Sequence, residues 1–410
     1  MKKTTLSAAA LTAVLTTTAI GLPAQAPQER IDLASIEKIR SIGLTPETSQ
    51  VMEIASWLTD VHGPRLSGSP NIQRAGEWAA GRMREWGLTG VALEPWDDQT
   101  QFPRGWSNDY FHLAEVAPQQ FPIYAMSQAW TPGTNGVVRG EAMLVTSTDE
   151  AELRKLSGTL RGRFLLTQNP PDVNAYWDPQ SRRYTTEQLD AMEQPAAPRA
   201  GGAGRGGGRG RGGAGNAPAG PPFNRNEFFM KEGVAAVLTT NARGHGLFTN
   251  GGNRNADPAT TLPTIAVAAE HYGRIARQLA KGITVTLEAD IRNTFHPRPT
   301  MFNVVGEIRG TDKADEIVML GAHFDSWHGS TGATDNAAGS AAMLEAMRIL
   351  KASGVPLRRT VRIGLWNGEE QGLVGSRQYV AKHFASRGAP PPAAAGEPAA
   401  GRGGRGQGPL

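Results

Sequence analysis

Four runs decide the fold: FNVVGEI at 302–308, EIVMLGA at 316–322, NAAGSAAMLEAMRIL at 336–350 and TVRIGLW at 360–366. A further helical stretch follows from Gly372 to Phe384. Short Val-, Ile- and Leu-rich runs alternate with segments whose apolar residues recur at helical spacing. Such alternation predicts an α/β fold with a mixed, mostly parallel sheet covered by helices on both faces.

Upstream, Ile31 to Leu58 reads as helical. The stretch from Ile72 to Trp86 puts Ile72, Ala75, Ala79 and Trp86 on one face, with Gly87 as its stop, and a strand follows from Val91 to Pro95. From Gly136 to about Leu287 the texture changes to short β-like runs, beginning at Gly140, Arg163, Ala235 and Ile283. They predict an inserted β-rich unit. It is interrupted by a Gly/Arg/Ala/Pro tract at 195–222, which cannot bury enough apolar surface to offset its chain entropy and is expected to be a disordered loop. The division expected is an export signal at 1–26, a first part of the α/β domain at 27–130, the insert at 131–290, a second part at 291–386 and a disordered tail at 387–410. The signal rests on Lys2 and Lys3, the apolar run Leu6 to Leu22 and the small residues Ala24 and Ala26. The expectation is an exported, periplasmic or secreted protein without a membrane anchor.

Composition excludes several chemistries. The 410 residues hold 39% apolar side chains, adequate for real cores, and no cysteine, so disulfides, thiolate nucleophiles and thiolate metal sites are absent. The net charge of +4 suggests a nucleic-acid partner until it is located along the chain. The signal, the Gly/Arg tract and the tail carry +2, +4 and +2, which leaves −4 for the remainder. No basic groove is implied, and the Gly/Arg tract lacks the aromatics that stack on bases.

Three clusters carry the chemistry. His323 and Asp325 directly follow the second strand, Asp335 sits in the Gly-rich turn before a helix, and Glu369 and Glu370 follow the last strand. Functional groups of α/β sheets gather outside the carboxyl ends of strands. One imidazole with several carboxylates is a donor set for Zn²⁺ or a similar divalent ion, and a carboxylate can bridge two ions. Each residue has a plain structural explanation by itself: Asp335 as a helix cap, the Glu pair as first-turn acids. Their convergence at neighbouring strand ends points to a metal site. His62, His112, His245 and His271 have no such neighbours and read as structural.

The stretches His323-Phe-Asp-Ser-Trp-His-Gly-Ser-Thr-Gly-Ala-Thr-Asp335-Asn-Ala-Ala-Gly-Ser340 and Trp366-Asn-Gly-Glu369-Glu370-Gln-Gly-Leu-Val-Gly-Ser376 closely resemble the M28 family of dinuclear zinc exopeptidases. Gly63-Pro-Arg-Leu-Ser-Gly-Ser69 and the β-rich insert are similar to its carboxypeptidase Q branch, in which the insert is a protease-associated (PA) domain. The resemblance implies a zinc-exopeptidase catalytic fold and two zinc ions. His323 would bind one ion, Asp335 would bridge both and Glu370 would bind the other. Asp325 would orient the site and Glu369 would be the general base. It further implies hydrolysis of terminal peptide bonds in short peptides, amino- or carboxypeptidase in type, by metal-activated water.

The family pattern also calls for one more Asp and one more His. After Asp335 this chain has no Asp, and its single later histidine, His383, falls in the helix after the Glu pair. The expectation is a catalytic domain incomplete at its C-terminus, with weakened metal binding, little activity by itself and a last strand lacking its neighbour. The alternatives are an inactive remnant that binds partners through its PA-like unit, or a site completed by another chain.

Overall fold

The computed structural model describes residues 32–179, 181, 183–193 and 223–384. The expected signal, the Gly/Arg tract and the tail at 387–410 lie outside the described residues. Among those described, no helix is long and apolar enough to cross a membrane.

The sheet that carries the site has four strands in the order Thr89–Pro95, Phe302–Ile308, Arg359–Trp366, Lys313–His323. It is mixed. Parallel pairing is confined to Lys313–His323 against Arg359–Trp366, and the other two pairings are antiparallel, so the parallel share is smaller than the strand–helix alternation suggests. The last strand in sequence does not form an edge, contrary to expectation: it inserts between Phe302–Ile308 and Lys313–His323 and is paired on both sides. The strand at that edge is Lys313–His323, and its Ile317 and Val318 are 38% and 45% exposed.

Alternation sorts this sheet's side chains into two faces. Phe302, Val304, Val361, Ile363 and Leu365 form one core with Ile72, Ala75, Ala79 and Met83 of the helix Pro70–Glu85 and with Ala341, Leu344 and Met347 of the helix Ala338–Ser353. The opposite parity faces the helix Val374–His383. Asn303 donates to the Gly375 carbonyl at 3.0 Å, and the Trp366 and Tyr379 rings lie 5.0 Å apart. Ser69 caps the helix Pro70–Glu85 by accepting the Ile72 amide, and proline in the first turn brings no donor of its own to satisfy.

The single helical stretch expected over 31–58 is broken. It forms Leu33–Gly43, then Val51–Ser56 continued by a π-turn at Trp57–Val61, with Pro46 in the gap. Proline removes a donor and disfavours helix at the residue before it, which accounts for the interruption.

A second sheet of eight strands runs Phe121–Pro122, Gly105–Ala117, Thr286–His296, Val138–Leu144, Phe164–Leu166, Ala236–Thr239, Thr264–Val267, Ala125–Ser127. Its longest pairing, Gly105–Ala117 against Thr286–His296, is antiparallel. This sheet therefore takes in residues from Gly105 onward, and a boundary between 130 and 131 falls inside its span. Its core gathers Leu113, Phe164, Leu166, Leu238, Ile265, Tyr272 and Leu287.

Candidate metal centre

The strand Lys313–His323 ends on His323, the strand Arg359–Trp366 ends three residues before Glu369, and their carboxyl ends lie side by side because the two pair in parallel, His323 opposite Trp366. Sheet register thus brings together residues 46 positions apart. Ligand atoms of His323, Asp335 and Glu370 all lie within 4.8 Å of one another. Glu369 Oε2 is 3.9 Å from His323 Nε2, and Asp325 Oδ1 is 3.6 Å from His323 Nδ1. All five residues singled out from sequence converge.

Each is held by identifiable local structure. His323 Nδ1 lies 3.1 Å from the Asp325 main-chain carbonyl and Nε2 2.7 Å from Asp335 Oδ1; both partners are acceptors, so the metal-free ring carries a proton on each nitrogen, and a metal would take the place of the one on Nε2. Asp335 lies in the π-turn Ala333–Ala337, outside helical φ/ψ. It does not cap the following helix: the Asn336 side chain does, accepting from the Gly339 amide at 3.1 Å. Nor are the glutamates first-turn acids, because that helix begins only at Val374. Both alternative explanations fail on geometry.

Asp325 is wholly buried and holds the Glu turn from inside. Its carboxylate accepts the amides of Glu369 at 3.2 Å and Glu370 at 3.3 Å and lies 2.8 Å from the Ser67 hydroxyl. Ser67 in turn accepts the Gly368 amide at 3.1 Å. Arg65, also wholly buried, donates to the carbonyls of Phe324, Leu58, Thr331 and Gly332 at 2.9, 2.6, 3.1 and 3.1 Å, fixing the loop between His323 and Asp335. Burial brings its pKa down to about 10, against the opposing charge of Asp325. Neither Arg65 nor Ser67 has a role assigned from the sequence. Their stretch, 63–69, was legible as a motif, but its partners lie some 260 positions away.

Electrostatics fit a cation. Burial, then the charges of Asp335 and Asp325, push Glu370 up to about 7, and burial also raises Glu369. Burial opposes protonation of His323, yet its hydrogen bond to Asp325 and the charges of Asp325, Glu369 and Asp335 outweigh it and bring the group to about 9. Four carboxylates around one imidazole repel one another. A divalent ion relieves that repulsion, and imidazole with carboxylates is a fitting donor set for zinc.

The histidines set aside in the sequence stand apart. His383 pairs with Glu94 at 2.6 Å. His62 stacks among Trp57 and Trp78, His112 lies 3.7 Å from Glu288, His245 packs on Tyr176, and His271 accepts the Tyr124 amide at 2.7 Å.

Residues 303–389 match the profile of peptidase family M28. Carboxypeptidase Q of Homo sapiens is 26% identical over 335 residues, 81% of this chain and 61% of the human protein. An aminopeptidase of Pseudomonas aeruginosa is 34% identical over 134 residues, 31% of this chain and 24% of that one. A crystal structure of a peptidase M28 precursor from Shewanella amazonensis shares the fold, with a TM-score of 0.54 and 21% identity over 86% of this chain and 70% of the other. The chain thus spans 61% of the length of the human relative it matches.

Proposed function

The chain belongs to peptidase family M28, and on that premise we propose that it is an exported zinc exopeptidase that hydrolyses terminal peptide bonds of short peptides. The observation that carries this reading is the convergence of His323, Asp335 and Glu370 within 4.8 Å at adjacent strand ends, with Glu369 beside them. Export rests on the pattern of residues 1–26.

His323 Nε2, Asp335 and Glu370 are the donors that would hold zinc. When bound, the ion supplies Lewis acidity and a water acidified toward neutral pH. The chain's own residues supply the rest. Glu369, raised by burial and standing 3.9 Å from His323, is the proton acceptor and then the donor to the leaving amine. Asp325 fixes the imidazole on one side and the Glu369–Glu370 backbone on the other. Asp335, with its side chain 72% exposed, would be the donor shared with a second ion if two are held. Among the described residues, one such three-donor group is present.

The test is hydrolysis of di- and tripeptides by the purified chain with added zinc, wild type against Glu369→Gln. Zinc-dependent cleavage reduced about 100- to 10,000-fold by the substitution supports the assignment, as general-base loss of that size is usual. Cleavage that survives the substitution contradicts it. A second reading, a binding module, draws on a polar cavity of about 480 Å³ beside the second sheet, lined in part by Gln128, Thr131, Arg225, Asn226, Thr239 and Asn253. No cleavage by wild-type chain loaded with zinc favours that reading.

A further inference from the structure

We propose that Arg254 is a positioning residue for the Glu369–Glu370 turn, so that the metal donors depend on the loop 250–257 that precedes the strand Thr264–Val267. This rests on the reading of Glu370 as a metal donor. The turn closes on itself through the Gly372 and Leu373 amides, which donate to the Glu369 carbonyl at 2.8 and 3.0 Å, and is held from outside at two further points. It lies between Gly368 and Gly372, both at positive φ, +74° and +113°, so its backbone gains little rigidity from local sterics. On its inner side Asp325 takes the amides of Glu369 and Glu370. On its outer side the Gln371 carbonyl accepts from an Arg254 terminal nitrogen at 2.9 Å.

Arg254 is equipped for that task. Its Nε donates to the Gln101 carbonyl at 2.8 Å, and its guanidinium lies 5.1 Å from the ring centroid of the fully buried Phe102. A planar fork that binds two carbonyls and stacks on an aromatic face is something lysine cannot reproduce. The loop bearing it is anchored independently. The Ala129 amide donates to the Gly251 carbonyl at 2.9 Å, and Arg104 donates to the Ala256 carbonyl at 3.2 Å. The same loop packs against the segment after Asp325, where a Cβ on Gly329 would collide with the Asn250 side-chain oxygen. Loop 250–257 therefore touches both the segment after Asp325 and the turn after Glu370.

The experiment compares Arg254→Ala, Arg254→Lys and Arg104→Ala in the full chain. Arg104 holds the same loop without touching the turn. Hydrogen exchange over 369–373 in the metal-free protein is expected to quicken at least about tenfold in Arg254→Ala, partly in Arg254→Lys, and not in Arg104→Ala, since exchange reports local opening. Cobalt is expected to bind Arg254→Ala about 10- to 100-fold more weakly, with a changed visible spectrum, the usual effect of removing an outer-shell support. Turnover should fall with KM little moved. Unchanged exchange over 369–373 in Arg254→Ala, or an equal effect from Arg104→Ala, overturns the proposal. Failure of the wild type to bind cobalt or cleave peptides would instead overturn the metallopeptidase reading, and the exchange comparison still decides the role of Arg254.

Discussion

The inner and outer halves of the site are built on opposite terms. Inside, Arg65, Ser67 and Asp325 are fully buried, and each is engaged by several hydrogen bonds. Outside, Asp335 and Glu369 keep 72% and 35% of their side-chain exposure, and with Glu370 they crowd like charges around one imidazole. The difference teaches a division of labour: the inner half fixes geometry at the expense of burying charge, and the outer half stores repulsion that a cation relieves. Substitutions should then separate cleanly into those that move stability and those that move metal binding.

The strongest challenge to that separation is Arg65→Met. Removing a buried guanidinium with four carbonyl partners should lower unfolding free energy by about 3–5 kcal/mol, the range for breaking buried charged networks. Urea denaturation of the metal-free chain measures it. A loss under about 1 kcal/mol would mean that the inner half is not the scaffold described.

Asp325→Asn sharpens the boundary, because Asp325 belongs to the scaffold yet touches the donors. An amide keeps the volume but loses an acceptor for the Glu369 or Glu370 amide. Zinc affinity should fall about 10- to 100-fold, read by competition with a chromophoric chelator. An unchanged affinity would move Asp325 entirely to the structural side.

The smallest effect is a pH dependence in the outer half. His323 is raised to about 9, so in the metal-free chain its stabilising contribution is full below its ordinary value near 6.5 and is lost as pH rises through about 9. Glu370, raised to about 7, is an acid stabilised in its neutral form, and its contribution is lost as pH rises from about 4.5 through 7. Zinc replaces those protons. The rise in melting temperature on adding zinc should therefore be larger at pH 8 than at pH 6, and a larger rise at pH 6 would contradict the assigned shifts. His328, buried and held below its usual value, acts oppositely: its contribution is lost as pH falls below about 6.5, with and without zinc alike, so it drops out of the difference that zinc makes.

What was legible in the sequence is the part set by short-range pattern. The strand Phe302–Ile308, the helix Pro70–Glu85 and the placement of His323, Asp335 and Glu370 at or after strand ends follow from periodicity and from the habits of α/β sheets. What escaped is long-range. The last strand in sequence is expected to lack a neighbour, yet Arg359–Trp366 inserts inside Lys313–His323 and leaves that strand at the edge. Gly105–Ala117 looks continuous with the first part, but its partner lies some 180 positions on. Arg65, Ser67 and Arg254 act by holding main-chain atoms, and a residue that recognises carbonyls or amides leaves no side-chain signature at the other end.

The most direct measurement is the metal content of the dialysed chain after zinc loading, wild type against His323→Ala, with circular dichroism to show that both are folded. The account predicts bound zinc in the wild type and its loss in the variant. Equal zinc in two folded proteins, or none in the wild type, would contradict the claim that His323, Asp335 and Glu370 form a metal centre.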